Sequence, residues 1–365
     1  MSKRVIFHYP LPFSETLNSG SKVRPVKILE AFRTLGYQVD VVCGYSCERR
    51  TAIRKIEQNI EQGIKYDFCY SECSTMPTAL TDPDHLPRAP ILDALFFRML
   101  NKNKVKIGVF YRDIYWCFES KTLRNFFRFK PQLAKLFYIF DLFVYKKYVD
   151  YIFSPSMESK EFIPIIDENK VRPLPPGIDI GYKLNNTKNH SKNIHLLYVG
   201  SIKKPYYNLE KMFSALSGLE FVKLTLCVRE DEWNAHKYDY SYENIDMNVV
   251  HASGEDLEVL YMNADASLLF FEPIKYRELA VPVKLFESLG YSTPIISSHD
   301  TWVGNFVKSN EIGWTLEYDD LALRNVLSDI KINRSKIDIA KQRVVEVARD
   351  NTWIKRCEYV SETLK

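Results

Sequence analysis

The chain has 365 residues, 46% of them apolar and 26% charged, with a formal net charge of +4. That balance suits two soluble domains of about 150 to 200 residues, each with its own core. The charge is too small to imply nucleic acid, and no apolar run of about 18 residues is present to span a bilayer. Seven cysteines are scattered along the chain, and the pairs Cys43/Cys47 and Cys69/Cys73 lack the second ligand pair of a zinc site. Reduced thiols in a cytoplasmic compartment are therefore expected.

Taken in order, "KRVIFHY" opens as an apolar strand, without the apolar stretch and cleavage site of a signal peptide. In "SKVRPVKILEAFRTLGYQVDVVCG", Ile28, Leu29, Phe32 and Leu35 recur at helical spacing, Gly36 stops the helix and a strand follows. "KYDFCYSE", "VKIGVFYRD" and "VDYIFSPS" are further short strands. The segment from Val171 to Asn193 holds Pro173, Pro175, Pro176 and Gly177, which cannot continue a helix or a central strand, and it is read as the domain linker. A second series then begins at "IHLLYVGSI" and runs through "VKLTLCVRE", "DASLLFF" and "PIISS" to a helical pattern from Ser335 to Leu364. Strands separated by helices predict an α/β fold with parallel sheets covered on both faces. Two Rossmann-like halves of similar size and a cleft between them are expected, with ligands beyond the carboxyl ends of the strands.

One stretch concentrates the chemistry: "VPVKLFESLGYSTPIISS", residues 281–298. Pro282 suits the first turn of a helix. At about 100° per residue, Lys284, Glu287 and Ser288 share one face, and Leu285, Phe286 and Leu289 share the other. A helix N-terminus with a lysine attracts an anion, while a carboxylate on the same face is suited to accepting ribose hydroxyls. The pair describes a reader of a nucleoside diphosphate; the alternative is an exposed ion pair with no ligand.

This stretch resembles the donor-site segment of GT-B glycosyltransferases of the family 4 type, in the branch that reads Pro-x-Lys-x-x-Glu. "SGSKVRPVKILEAFRTLGYQVDVV" is similar to the family's N-terminal glycine loop, helix and second strand. "FSPS", "PPGID", "LLYVGSI", "EDLEVLYMNADASLLF" and "NTWIKRCEYV" match later pieces in order. The resemblance covers essentially the whole chain. It implies a GT-B fold with an N-terminal acceptor domain (1–176), a nucleotide-sugar donor domain (177–345) and a C-terminal helix (346–365) packing back on the first domain. It also implies retaining transfer from a UDP- or GDP-sugar, without a metal site or other cofactor.

Carried onto this chain, the resemblance puts Gly20 and Ser21 in the first loop and Gly200 and Ser201 in the equivalent loop of the second half. Lys203 or Lys204 takes the basic position on the diphosphate, with Arg229 as a second candidate. Pro282, Val283 and Lys284 belong to the donor segment, and Glu287 is the ribose-binding second glutamate of an E-x7-E motif. The first glutamate of that motif is replaced by Leu279; either the adjacent Glu278 moves in or the role is dropped. Where relatives carry His-Asp, this chain has Arg112 and Asp113, and Asp113 is the leading candidate to contact the transferred sugar or the acceptor. Asp113, Lys204 and Glu287 are thus the expected catalytic residues. His8 ends the first strand and is a candidate to face the cleft. The Asp-x-Asp in "TDPDH" is read as a chance pattern.

From Arg98 to Asp150 there are twelve Lys and Arg against four Asp and Glu, so the basic charge is local. Within it, residues 121–132 mix Lys and Arg with Phe and are a candidate anchor on an anionic membrane surface. Residues 136–149 read as an ordinary amphipathic helix. A lipid-linked or glycan acceptor in polysaccharide or glycolipid assembly would fit such docking. Two rival readings are a nucleotide-sugar epimerase of the same architecture and a degenerate subunit that binds an active partner.

Overall fold

The computed structural model describes residues 3–13, 20–112, 129–179, 191–204 and 206–365, with the backbone alone at 20, 21 and 129–131. The chain forms two compact units: Met1–Pro176 together with Trp353–Lys365, and Gly177–Thr352.

In the first unit, strand β1 (Arg4–Tyr9) leads through helix α1 (Gly20–Thr34) to β2 (Gln38–Cys43), and α2 (Ser46–Glu61) leads to β3 (Phe68–Glu72). Helix α3 (Leu92–Lys102), β4 (Lys106–Phe110), α4 (Phe129–Tyr148), β5 (Tyr151–Ser154) and β6 (Val171–Pro173) complete the series. The sheet order is β2-β1-β3-β4-β5-β6, and every pairing is parallel. Because β2 lies on one side of β1 and β3 on the other, the winding reverses between β1 and β3. The proline-bearing β6 sits at the edge, where a missing N–H costs least. Gly36 adopts φ 81° just after α1, and Ile28, Leu29 and Phe32 are buried as their spacing requires.

The second unit runs from β7 (Ile194–Val199) through α5 (Glu210–Leu216), β8 (Val222–Cys227), α6 (Glu230–His236) and β9 (Met247–Val250) to α7 (Glu255–Asn263) and β10 (Ala266–Leu269). It continues with α8 (Val283–Gly290), β11 (Ile295–Ser298), α9 (Trp302–Asn310), β12 (Gly313–Leu316), α10 (Asp320–Ile332) and α11 (Ser335–Arg349). Its all-parallel order is β12-β11-β10-β7-β8-β9, the Rossmann arrangement, with the reversal between β7 and β10. The central strands β10 and β11 are buried along their whole length, which is why they read as unbroken apolar and small-residue runs.

The helical pattern from Ser335 to Leu364 is two helices, α11 and α12 (Trp353–Leu364). The break falls at Asp350–Thr352, where the Ile178 N–H donates to the Asn351 carbonyl at 2.9 Å and Ile178 pairs with Thr352. The unit boundary accordingly lies at 352/353 rather than at 345/346. Helix α12 buries Trp353, Cys357, Val360 and Leu364 in the first unit's core, and Gly108 of β4 makes the room: a Cβ there would lie 2.9 Å from a Leu364 methyl. No helix among the described residues is long and apolar enough to cross a membrane.

Candidate functional site

At the carboxyl edge of the second sheet, α8 begins as its sequence directs. Pro282 caps it in extended conformation, and Leu285, Phe286 and Leu289 are buried against the sheet at about 1.5–3 kcal/mol each. Ser288 is buried as well, contrary to the shared polar face expected for it. Its hydroxyl donates to the Lys284 carbonyl at 2.8 Å and lies 2.8 Å from that of Ser267, so a small polar side chain is satisfied inside the core.

Lys284 and Glu287 stay half-exposed, at 33% and 29%, with Lys284 Nζ 2.8 Å from Glu287 Oε2. The Tyr261 hydroxyl of α7 donates to the same oxygen at 3.1 Å. Oε2 is thereby held from two sides, while Oε1 accepts no hydrogen bond among the described residues. Burial, followed by the Glu287 charge, pushes the Tyr261 phenol well above its usual range, so it remains a donor. Both members of the pair also act on the Cys227 thiol at the end of β8, which burial raises. Lys284 and Glu287 therefore stand by the carboxyl end of β8.

The loop after β7 is fastened by a residue that sequence reasoning missed. Glu232 in the first turn of α6 is 7% exposed. It accepts from the Ser201 hydroxyl, from the Ile202 N–H at 2.8 Å and from Arg229 Nη2 at 2.9 Å. Burial alone would raise its carboxyl, but these donors outweigh it and the group titrates below the ordinary glutamate range. Tyr198 adds a bond from its hydroxyl to the Ser201 carbonyl at 2.5 Å, and the Gly200 N–H reaches the Cys227 carbonyl at 3.1 Å.

Ser201 thus orders the loop through its own hydroxyl. Lys203 is exposed, whereas Lys204 Nζ pairs with Glu210 at 2.5 Å and lies 5.0 Å from the Tyr240 ring. Arg229 is 77% exposed and spends its charge on Glu232. At the position of the absent first glutamate, Leu279 is buried, and Glu278 pairs outward with Lys275 at 2.7 Å.

In the first unit, Gly20 and Ser21 are the first residues of α1. Asp113 lies outside the described residues, as do residues 121–128 of the candidate membrane anchor. Arg112 Nη2 reaches Glu72 Oε2 at 3.3 Å. Glu72 is buried and also takes Arg24 Nε at 2.9 Å and the Tyr70 hydroxyl at 2.7 Å. His8 is buried rather than facing outward: Nδ1 lies 2.7 Å from Ser71 Oγ and Nε2 lies 2.9 Å from Asp93 Oδ1. Arg49 closes on Asp93 with two bonds of 3.0 Å, so this serine, histidine and aspartate form an internal strut with no access for a substrate.

The Asp-x-Asp residues are also structural: Asp82 accepts the Ser46 N–H at 2.9 Å, and Asp84 pairs with Arg88. Among the described residues, no group of three or more His, Cys, Asp and Glu is placed to hold a metal ion.

The sequence matches no protein-family model, and no curated protein is significantly similar to it. Solved structures are similar over the full length. Sucrose-phosphate synthase of Thermosynechococcus elongatus has a TM-score of 0.64 at 13% identity, covering 99% of this chain and 98% of that one. HepE of Anabaena, solved in complex with UDP-glucose, gives 0.60 at 11% identity, covering 99% of both chains. WaaG, a glycosyltransferase involved in lipopolysaccharide biosynthesis, gives 0.58 at 14% identity, also with 99% of both chains covered. The fold is GT-B. These likenesses show the architecture; the chemistry rests on the side chains described above.

Proposed function

We propose that the protein is a glycosyltransferase that moves a hexose from a UDP- or GDP-sugar to a glycan or lipid-linked acceptor, with retention of configuration. The observation that carries this reading is Glu287, held at Oε2 by Tyr261 and Lys284 and open at Oε1, on a helix beside the strand ends of a Rossmann sheet. The open oxygen accepts ribose hydroxyls, and Lys284 contributes positive charge for the diphosphate.

In the transfer, the bond from the sugar C1 to the β-phosphate oxygen breaks, and its electron pair leaves on the diphosphate. The acceptor oxygen bonds to C1, and its proton passes to the departing phosphate. Cations at this edge, Lys203 and Lys204 among them, stabilise the charge as it develops, the task a metal performs elsewhere. Gly200, Ser201, Pro282 and Val283 shape the donor side of the second unit, with Arg229 beside them, and Gly20 and Ser21 serve the first unit's own loop. Asp113 contacts the sugar or the acceptor. The similarity of HepE, solved with UDP-glucose, supports a nucleotide-sugar donor. A cytoplasmic protein docked through residues 121–132 on an anionic membrane surface fits a lipid-linked acceptor.

Thermal stabilisation by UDP, GDP, CMP and phosphate tests the reading, with Lys284→Ala and Glu287→Ala beside the parent. One diphosphate at about 100 times its Kd adds about 2.7 kcal/mol. Loss of the bonds to Glu287 weakens binding by about 10- to 100-fold. A parent that no diphosphate stabilises would leave a degenerate partner subunit as the better account.

A further inference from the structure

Most cations around the carboxyl edge of the second sheet already hold a carboxylate. Lys204 has Glu210, Arg229 has Glu232, Lys275 has Glu278 and Lys284 has Glu287. Lys203 has none among the described residues, but it is exposed, so water satisfies it until a ligand arrives. Arg277 differs from all of these. It lies in a short 3-10 turn, Lys275–Glu278, on the connection from β10 to α8, beside the point where the sheet reverses. Its side chain is 7% exposed, and no carboxylate pairs with it among the described residues.

What Arg277 does have is weak compensation for a buried charge. The guanidinium carbon is 4.3 Å from the Phe271 ring centroid and 5.0 Å from that of Tyr207. Nη2 donates to the Tyr206 carbonyl at 2.7 Å. Among the described residues, Nε is sealed from solvent with no partner, and Nη1 makes no hydrogen bond but is not one of the sealed atoms. Two ring faces fix the plane of the fork, one carbonyl fixes its rotation, and Nη1 is left to meet something else. Burying an uncompensated ion is costly, so such a group is kept where an anion completes it. The field of Arg277 reaches the Tyr198 hydroxyl, which holds the Ser201 carbonyl, so the fork belongs to the same loop cluster as Gly200 and Ser201.

We propose that Arg277 is the diphosphate-binding arginine of this site, its Nη1 edge meeting phosphate oxygens of a nucleoside diphosphate donor. This assignment rests on the donor-site reading and adds to it a residue which none of the sequence motifs marks. The pre-set plane suits the two-oxygen geometry of a phosphate, which a lysine's point charge does not reproduce.

The experiment compares binding of a nucleoside diphosphate, UDP or GDP, with binding of its bare nucleoside, by calorimetry on the full chain. It uses the parent protein, Arg277→Gln and Arg277→Lys. In Arg277→Gln the diphosphate is expected to bind about 30- to 100-fold more weakly, with nucleoside affinity unchanged within about threefold. Arg277→Lys, which keeps charge and bulk, loses about tenfold on the diphosphate alone. If Arg277→Gln fails to fold, the lysine variant decides the matter, since unchanged diphosphate affinity there overturns the assignment. Equal weakening of diphosphate and nucleoside in either variant also overturns it, and leaves Arg277 as a staple between two loops. A parent that binds no nucleoside diphosphate overturns the donor reading itself, and the assignment with it. A parent that binds one, with Arg277→Gln unchanged, overturns the assignment alone.

Discussion

Replacing Glu232 by alanine should loosen the loop after β7 and lower stability at the same time. The side chain accepts from Ser201, from the buried Ile202 N–H and from Arg229. Orphaning the buried Ile202 N–H costs about 2 kcal/mol, and orphaning the half-buried Ser201 hydroxyl costs about 1 kcal/mol. The bond to exposed Arg229 adds at most about 1 kcal/mol, so the sum is about 3 kcal/mol. For a unit of this size each kcal/mol lowers Tm by about 2–4 °C, giving a fall of about 6–12 °C in scanning calorimetry at neutral pH. Glu232→Gln keeps an acceptor for Ile202 and should lose roughly a third as much.

The sign with pH follows from the depressed carboxyl. Its contribution is complete above the ordinary glutamate value of about 4.3 and fades as pH falls through the lower folded value, so parent and alanine variant should converge in acid. Binding of a nucleoside diphosphate should weaken in step, because Gly200 and Ser201 are no longer held in place. A Tm within about 1 °C of the parent, or a gap constant from neutral pH into acid, would refute the reasoning.

Two further outcomes concern the first unit. Asp141 of α4 is buried with the Thr78 N–H on Oδ2 at 2.8 Å, and burial, reinforced by Asp93 and opposed by Thr78 and Arg49, pushes its carboxyl up to about 7. Since the folded value exceeds the unfolded one, the parent should lose up to about 4 kcal/mol as pH rises from about 4 to about 7. Asp141→Asn should escape that loss; urea unfolding at both ends of the window checks this, and equal pH sensitivity of variant and parent would count against it. Ending the chain after Thr352 removes Trp353, Cys357, Val360 and Leu364 from the first core. At about 1.5–3 kcal/mol for each large apolar side chain, the loss rivals a domain's whole stability of about 5–15 kcal/mol. Calorimetry should then show the second unit melting alone, and a surviving first transition would contradict the account.

The elements could be read from sequence where local pattern decides them. Pro282 before α8, Gly36 after α1 and the unbroken run of β11 needed no partner to be recognised. What escaped was set by distant partners. Glu232 stands in "REDEW", where nothing local separates the carboxylate that turns inward from its two acidic neighbours. The choice is made by Ser201 and Ile202, on a loop some thirty residues earlier. Arg277 sits in "KYRE", which reads as a solvated run until Phe271 and Tyr207 close over it. His8 looked free at a strand end because Asp93, its partner, lies 85 residues away. The break at Asp350–Thr352 is likewise fixed by Ile178 and not by any glycine or proline.

The two sheet reversals differ in a way that bears on where a ligand belongs. At the β1/β3 reversal, most polar groups satisfy one another: His8 with Ser71 and Asp93, Arg49 with Asp93, and Arg24 and Tyr70 with Glu72. Arg112 Nε is sealed there without a partner among the described residues, but its guanidinium already pairs with Glu72. At the β7/β10 reversal, the framework is equally well tied through Glu232, Tyr198 and Tyr261, yet selected atoms are left over. Among the described residues, Glu287 Oε1 has no protein donor and is left to solvent or a ligand, and Arg277 Nη1 has no acceptor. For the buried guanidinium, incomplete pairing carries a penalty unless something else completes it. The leftovers are of opposite kind, one carboxylate oxygen open to hydroxyls and one guanidinium nitrogen open to an anion. A free sugar answers only the first and inorganic phosphate only the second. A nucleoside diphosphate carries both groups in one molecule, and that is why the diphosphate-to-nucleoside ratio, more than either affinity alone, reports on this edge.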